Sequence, residues 1–252
     1  AIVSAEIAGW LSFETISMLL ISIALLVAFY FSQKYKKHPL MPLHIFKVSN
    51  LSYGNIVMIL LAAAWIPLWF FLNLYLQQTL HYSAFNSGLA LLPMTIAIML
   101  LMVGATGRLV ARFGFKSNMI MGLIALAVSL FLFSRVPVDG TFVADVLPAS
   151  LLAAVGMSLT YIPGTIAATA SAPPEEMGLA SGLVNTSYQV GSALGLAIIV
   201  AISAAKTNAI KMIGAPEATA LNSGFQTAFF AASVVCVIAA IIAAFGIKAP
   251  KP

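Results

Sequence analysis

Aromatic and amide side chains recur at helical spacing inside the second of several long apolar stretches. Trp65, Trp69, Asn73 and Gln77 follow one another at steps of four residues, which on a helix puts them in one slowly drifting stripe. Rings offer contact area and cation–π attraction, and amides offer hydrogen bonds, so the stripe suits a cavity for flat, apolar and often cationic compounds. We take Trp65, Trp69 and Asn73 as substrate-cavity candidates. The open alternative is that the tryptophans face lipid and Gln77 lies at the membrane interface.

A second group of polar and aromatic residues lies on two later stretches. Asn185 and Gln189 are four residues apart and share one face of a helix, with Tyr188 beside them, and Tyr161 lies on the preceding stretch. An amide buried in lipid needs a hydrogen-bond partner, which can be another helix or a watered cavity. These four residues complete the substrate-cavity candidates, with contact between helices as the alternative for the amides.

Prolines fall inside three of the apolar stretches, at Pro67, Pro93 and Pro163, and Gly164 directly follows the last of them. Proline removes a backbone hydrogen bond and kinks a helix. Interrupted helices in transporters often line the substrate path. We therefore predict helix breaks at these four residues, although kinks also occur as simple packing features.

Residue patterns for catalysis or metal binding are lacking. The three histidines, His38, His44 and His81, fall between the apolar stretches, and Cys236 is the one cysteine. They lack metal-ligand spacing, and the glycine-rich segments follow no strand. The middle of every apolar stretch also lacks Asp, Glu, Lys, Arg and His. We predict no enzyme, no metal, no cofactor and no proton relay within this segment.

The elements that position these residues follow from the composition. Of 252 residues, 62% are hydrophobic and only 8% are charged, whereas a soluble domain carries about 25% charged residues. A membrane-spanning helix needs about 20 mostly apolar residues, and the apolar runs are continuous rather than alternating. We predict an all-α integral membrane protein with seven transmembrane helices, at residues 11–31, 52–76, 87–106, 117–134, 146–169, 183–205 and 225–247.

The basic residues indicate how these helices are oriented. The net charge is +5, but the Lys and Arg residues fall in short gaps between apolar stretches, so we predict topology signals and no nucleic-acid partner. Nine of them share a side of the membrane with the C-terminus, and three lie on the other side. The positive-inside rule then places the C-terminus in the cytoplasm and the N-terminal end outside, in the cell (inner or plasma) membrane.

The basic loop after the third span contains Gly107, Arg108, Leu109, Arg112, Gly114 and Lys116. It resembles a loop motif of the major facilitator superfamily, Gly-x-Leu-x-Asp-Arg-x-Gly-Arg-Lys. It departs from the motif at Ala111, where the family has Asp, and at Phe115, where it has Arg. The segments 39–46, 76–93 and 178–195 resemble stretches of the fourteen-span drug/proton antiporter branch. Together these matches extend over nearly the whole chain.

The resemblance implies an architecture. In that branch two six-helix halves flank two extra helices, so the seven spans would be one linker helix and a six-helix C-terminal half of a major facilitator fold. We expect a linker helix with an amphipathic cytoplasmic connector at 1–50, where Pro39 and Pro42 separate it from the half-bundle at 51–252. Because the chain begins at Ala1 rather than Met, we expect a piece of a longer protein whose N-terminal half is missing.

The resemblance also implies a function, which is export of drug-like or amphipathic small molecules by alternating access, coupled to proton antiport. The partners would be a small-molecule substrate, the lipid bilayer and the missing half. One alternative is an exporter of the same fold with a narrow substrate, such as a metabolite or siderophore. Another is a seven-span receptor, which fits the span count and orientation but gives no role to the motif at 107–116.

Overall fold

The computed structural model describes residues 12–35, 45, 50–170 and 172–248. Most of the predicted connector, residues 36–44 and 46–49, lies outside the described residues. Within the described ranges the regular elements are all helical, so the predicted all-α class is confirmed. They are α1 (Phe13–Tyr35), α2 (Leu51–Leu74), α3 (Ala84–Leu100), α4 (Thr106–Phe133), α5 (Leu147–Thr169), α6 (Met177–Met212) and α7 (Glu217–Gly246).

Short turns of tighter or wider helix extend several of these elements. Turns of π-helix at Tyr75–Thr79 and Phe142–Val146 lengthen α2 and precede α5, and a 3-10 turn at Pro174–Glu176 precedes α6. A further π-helical turn at Leu101–Ala105 joins α3 to α4 without a gap. Helices suit these apolar segments because they satisfy their own backbone hydrogen bonds in lipid.

The predicted third and fourth spans form one continuous helical stretch, Ala84–Phe133, which is 50 residues long. The described residues therefore contain six helical stretches, not seven, that are long and apolar enough to cross a membrane. This corrects the predicted count. The basic segment between the two spans was expected to be a loop, but its residues are helical almost throughout.

The stretch nevertheless turns back on itself at Gly114. This glycine has φ 76° and ψ 162°, which are not helical values. On one side of it, Thr106 Oγ1 donates to the carbonyl of Ser158 at 3.4 Å. On the other side, Gly122 lies against the backbone of Gly156. Both contacts fall on the same part of α5, so the chain reverses direction between them.

α2 lies at the centre of the bundle, with most of its side chains buried. α6 runs parallel to it and very close, since Gly191 packs on the backbone of Ile59 and Gly195 on that of Ala63. α7 packs against α2, α4 and α6, and α4 packs against α5. Because lipid tails are as apolar as the helices, small residues that allow close backbone approach are the expected means of association.

α1, α3 and α6 are the most exposed elements of the described chain. Nearly all the described side chains of α1 are exposed or half-buried. α3 and the π-helical turn after it expose a row of large apolar residues, consisting of Leu89, Leu92, Ile96, Met99 and Val103. α6 buries mainly the narrow face that meets α2. The division into a linker region at 1–50 and a half-bundle at 51–252 stays a prediction.

The three prolines expected to break their spans all lie inside continuous helices, Pro67 in α2, Pro93 in α3 and Pro163 in α5. The interruption expected at these residues and at Gly164 is therefore not seen. Neighbouring helices and local adjustments can satisfy a backbone carbonyl that proline leaves free. Pro67, Pro163 and Gly164 are buried in the bundle, which fits the packing alternative.

The bundle has two distinct ends, named here by their residues. At the Asn50 end, Asn50 Nδ2 donates to the carbonyl of Lys248 at 2.9 Å. At the Tyr75 end, the Tyr75 hydroxyl donates to the carbonyl of Pro137 at 2.8 Å, and Asn222 Nδ2 donates to the carbonyl of Val136 at 3.0 Å. Helix ends from distant parts of the sequence thus meet at two opposite surfaces, as in a protein that crosses a membrane repeatedly.

Candidate substrate-facing surface

The two tryptophans of the predicted stripe differ in exposure. Trp65 is only 6% exposed and belongs to the packed core of the bundle. Trp69 is half-buried and meets Trp65 edge to face, with ring centroids 6.1 Å apart. Trp69 can therefore contact a ligand at the bundle surface directly, whereas Trp65 lies in the core and packs against the ring of Trp69.

Asn73 is exposed at the Tyr75 end, and its side-chain oxygen is already engaged. Asn73 Oδ1 accepts from Ser87 Oγ and from Gln77 Nε2, each at 2.6 Å. The first of these bonds joins α2 to the start of α3. Ser87, which is fully buried, was not among the predicted site residues. Its link to Asn73 depends on how two helices dock, which residue spacing does not reveal.

The candidates on α5 and α6 come together as a pair of rings. Tyr161 and Tyr188 meet edge to face with ring centroids 5.5 Å apart and an interplanar angle of 89°. Both are half-buried, so each ring keeps part of its surface free. Asn185 and Gln189 are exposed on α6 beside Tyr188.

Contacts with α2 give the depth of each group along the bundle. Ser187 Oγ donates to Asn55 Oδ1 at 2.8 Å, and a side chain at Gly164 would meet Met58. The Tyr161–Tyr188 pair therefore lies near the level of residues 55–61 of α2. Asn73 lies about 20 Å further along the axis at 1.5 Å per residue. Asn73 therefore lies at a different depth from the tyrosine pair, and Trp65 and Trp69 lie between these two levels along α2.

Asn55 is a buried polar residue that the sequence interpretation missed. Its Nδ2 donates to the carbonyl of Leu51 at 2.8 Å, and its Oδ1 accepts from Ser187. The Asn55–Ser187 pair connects α2 to α6 directly beside Tyr188. The available signal in the sequence was an isolated amide, Asn55, near the start of an apolar stretch. Its partner is the hydroxyl of Ser187, one position before Tyr188.

The loop-motif residues lie around the reversal at Gly114. Gly107, Arg108 and Arg112 are exposed, and Lys116 is half-buried. The Arg112 guanidinium lies 5.2 Å from the centre of the Phe113 ring. None of the three basic side chains forms an ion pair with another residue of the described chain. The motif therefore contributes its glycine to the turn, and its cations remain available at the surface.

The region described by the structure also holds no group of three His, Cys, Asp or Glu side chains that could bind a metal ion. The candidate surface consists of rings, amides and hydroxyls alone. Such groups can bind a ligand through contact area, cation–π attraction and hydrogen bonds.

Comparison with known proteins places the chain in a family. A family model described as Major Facilitator Superfamily matches residues 1–196. The cephamycin export protein CmcT of Amycolatopsis lactamdurans is 28% identical over 80% of this chain and 40% of its own length. The tetracenomycin C resistance and export protein of Streptomyces glaucescens is 30% identical over 81% of this chain and 38% of its own length.

The lincomycin resistance protein LmrB of Bacillus subtilis (strain 168) is 31% identical over 96% of this chain and 51% of its own length. The chain thus spans two fifths to about half of the length of these relatives. The family model extends over most of the chain and agrees with the six long apolar helices of the described residues. This chain is a multi-pass membrane protein, and it belongs to the Major Facilitator Superfamily.

Proposed function

We propose that this chain forms the C-terminal half of a transporter that exports drug-like or amphipathic small molecules across the cell membrane. The N-terminal half of the same protein would complete the central cavity, and the two halves would rock about it in alternating access. The names of three relatives support this proposal, since two are called export proteins and two are called resistance proteins. The linker region at 1–50 would join this half to the preceding one.

The observation that carries the proposal is the half-buried tyrosine pair with exposed amides beside it. Asn185 and Gln189 lie on the face of α6 that turns away from α2. Amides facing hydrocarbon would be left without partners, which is costly. A watered cavity between two halves would satisfy them and would leave the rings of Tyr161 and Tyr188 free to contact substrate.

We assign proton coupling to the missing half. Ionisable side chains at membrane depth usually mark proton pathways, and the middle of every span in this sequence lacks them. Antiport therefore requires acidic or basic groups from elsewhere in the protein, while this half supplies rings and amides for substrate contact.

A narrow-substrate exporter of the same fold is the second candidate function. The relatives are each named for one compound, cephamycin, tetracenomycin C or lincomycin. The seven-span receptor is set aside, because the chain belongs to the Major Facilitator Superfamily.

The test measures resistance of cells that express the full-length protein, over a panel of flat cationic and neutral antibiotics. Trp69→Ala and Tyr161→Ala should change resistance to some compounds roughly five- to tenfold relative to others, because an aromatic contact contributes about 1–1.5 kcal/mol. Membrane abundance should stay unchanged. The matched control is Val234→Ala, an exposed position on α7.

A uniform loss of resistance to every compound, or no change, would contradict the assignment of these rings to a substrate surface. Wild-type protection against a single compound class would favour the narrow-substrate exporter. Wild-type protection against chemically unrelated compounds would favour multidrug export.

A further inference from the structure

An apolar groove runs between α4 and α7 on the surface of the bundle, with a volume of about 560 Å³. Aliphatic and aromatic side chains line it, from Ile120, Ile124, Val128 and Phe131 on α4 and from Val237 and Ile241 on α7. From Ile120 to Phe131 the groove covers about 16 Å of helix axis. That is about half of the 30 Å hydrocarbon thickness of a bilayer, so the groove matches the depth of one leaflet.

A polar pocket of about 430 Å³ opens at the Phe131 end of this groove. Ser134, Arg135, Gln226 and Thr227 line it together with Phe230. The Arg135 guanidinium lies 5.1 Å from the centre of the Phe131 ring, which is itself part of the groove. The apolar groove therefore continues directly into a pocket that holds one cation.

The hydrogen-bonding groups of this pocket favour an anion that also carries hydroxyls. Arg135 forms no ion pair with another described residue. Asp145 lines a neighbouring hollow together with Arg135, but it forms no ion pair within the described residues, and its Oδ2 accepts from the backbone N–H of Thr141 at 2.7 Å. Gln226 Nε2 donates to the carbonyl of Val136 at 2.8 Å, which leaves Gln226 Oε1 as an acceptor. Arg135 thus offers donors to an anion, and Gln226 offers an acceptor to a hydroxyl.

We propose that the groove and the pocket together bind one phospholipid with an anionic, hydroxyl-bearing head group of the phosphatidylglycerol type. An acyl chain lies between α4 and α7, the phosphodiester accepts hydrogen bonds from Arg135, and a head-group hydroxyl donates to Gln226. A guanidinium binds phosphate strongly through charge-assisted hydrogen bonds, and basic pockets between membrane helices are suited to lipid head groups. The candidate substrate-facing residues lie on α2, α5 and α6, so this site does not depend on the proposed export function.

The test counts lipids retained by the full-length protein in native mass spectrometry, after exchange into mixtures of phosphatidylglycerol and phosphatidylcholine. One phosphatidylglycerol should remain bound more tightly than any phosphatidylcholine. Arg135→Gln should weaken its binding about tenfold by removing the charge-assisted bond. Val128→Trp, at an exposed position inside the groove, should do the same by filling the space of the acyl chain.

Two control variants make comparable changes at exposed positions outside the site, Lys206→Gln for the loss of a positive charge and Ile238→Trp for the added bulk. Both should retain the lipid as the wild type does. Equal loss of phosphatidylglycerol in Arg135→Gln and Lys206→Gln would overturn the proposal, because it would reflect general charge attraction. Equal retention of phosphatidylcholine and phosphatidylglycerol by the wild type would overturn it as well.

α1 is the other segment that could cover the groove. In a Cys236→Ala background, the pair Leu25→Cys and Val237→Cys tests whether it does. A disulfide formed in high yield would show that α1 occupies the groove and would overturn the lipid assignment, whereas its absence, together with lipid retention, supports it.

Discussion

Single glycines decide how closely the two central helices approach. A side chain at Gly195 would overlap the backbone of Ala63, and one at Gly191 would overlap that of Ile59. Between membrane helices the gain comes from close van der Waals contact rather than from the hydrophobic effect. The α2–α6 contact, and with it the position of Tyr188 and Gln189, therefore depends on the absence of two Cβ atoms.

Gly195→Ala should destabilise the protein, because the added methyl group has no space and the neighbouring atoms are backbone. Overpacking of this kind costs about 1–3 kcal/mol. Heating the full-length protein in detergent and measuring the folded fraction by size-exclusion chromatography should show a lower midpoint than for the wild type.

Gly182→Ala is the matched control, since it lies on the same helix and a Cβ there would meet nothing within 4 Å. Alanine favours helix over glycine, so this variant should melt at or slightly above the wild-type temperature. Similar losses in both variants would contradict the close-packing explanation, because Gly182 has open space around it and helix propensity favours alanine at both positions.

At the scale of elements, the stretch Ala84–Phe133 forms a helical hairpin that reverses at Gly114, inside α4. This hairpin depends on one backbone conformation and one side chain. Gly114 adopts φ 76° and ψ 162°, a combination available essentially only to glycine. Asn118 Nδ2 donates to the carbonyl of Leu109 at 2.9 Å and to that of Gly114 at 2.7 Å. Because Leu109 and Asn118 stand on opposite sides of the reversal, this buried amide holds the two arms together.

Gly114→Ala should therefore destabilise the hairpin, by about 1–3 kcal/mol for a non-glycine residue held in such a conformation. The melting midpoint of the full-length protein should fall, and cleavage by trypsin at Arg112 in inverted membranes should become faster. Gly107→Ala, in the same motif, adds a methyl group where nothing lies within 4 Å. If Gly107→Ala and Gly114→Ala behave alike, the reversal does not depend on the left-handed backbone of Gly114.

At the scale of the molecule, the sequence predicts where the helices lie better than where they end. The predicted span 183–205 lies within α6, which runs from Met177 to Met212. An apolar window identifies only the part of a helix at membrane depth. The residues that extend α6 beyond this window, 177–182 and 206–212, include glycine, polar or basic residues and do not continue the apolar run. The same reasoning explains the merged third and fourth spans, because hydropathy does not distinguish a helical turn rich in Arg and Lys from a loop.

The candidate site was predictable in kind but not in arrangement. Residue type and spacing identified Trp69, Tyr161 and Tyr188 as rings at membrane depth, and the structure leaves all three half-buried. Burial of Trp65 and the bonding of Asn73 to Ser87 were not predictable. Both depend on which face of α2 meets its neighbours, and uniformly apolar helices give little periodic signal for that choice.

The basic residues separate between the two ends of the bundle. Arg108, Arg112 and Lys116 flank the reversal at Gly114, and Met119 just beyond it approaches Gly164 near the Asn50 end. Lys248 lies at that end as well. Arg135 and Lys211 belong to the Tyr75 end, where Lys211 pairs with Glu217 at 2.9 Å. These cations are part of the charge difference used to predict orientation, and Lys36, Lys37, Lys47 and Lys251, which also contribute to it, lie outside the described residues.

We expect the Asn50 end of the bundle to face the cytoplasm. Lys and Arg residues in short loops are retained on the cytoplasmic side during insertion, and the end with more of them holds the loop-motif cations. In a Cys236→Ala background, an impermeant maleimide added to intact cells should label Asn86→Cys but neither Lys116→Cys nor Lys36→Cys. Permeabilising the cells should make the two lysine positions reactive. Labelling of Lys116→Cys from outside, with Asn86→Cys protected, would reverse the orientation while leaving the helix packing intact.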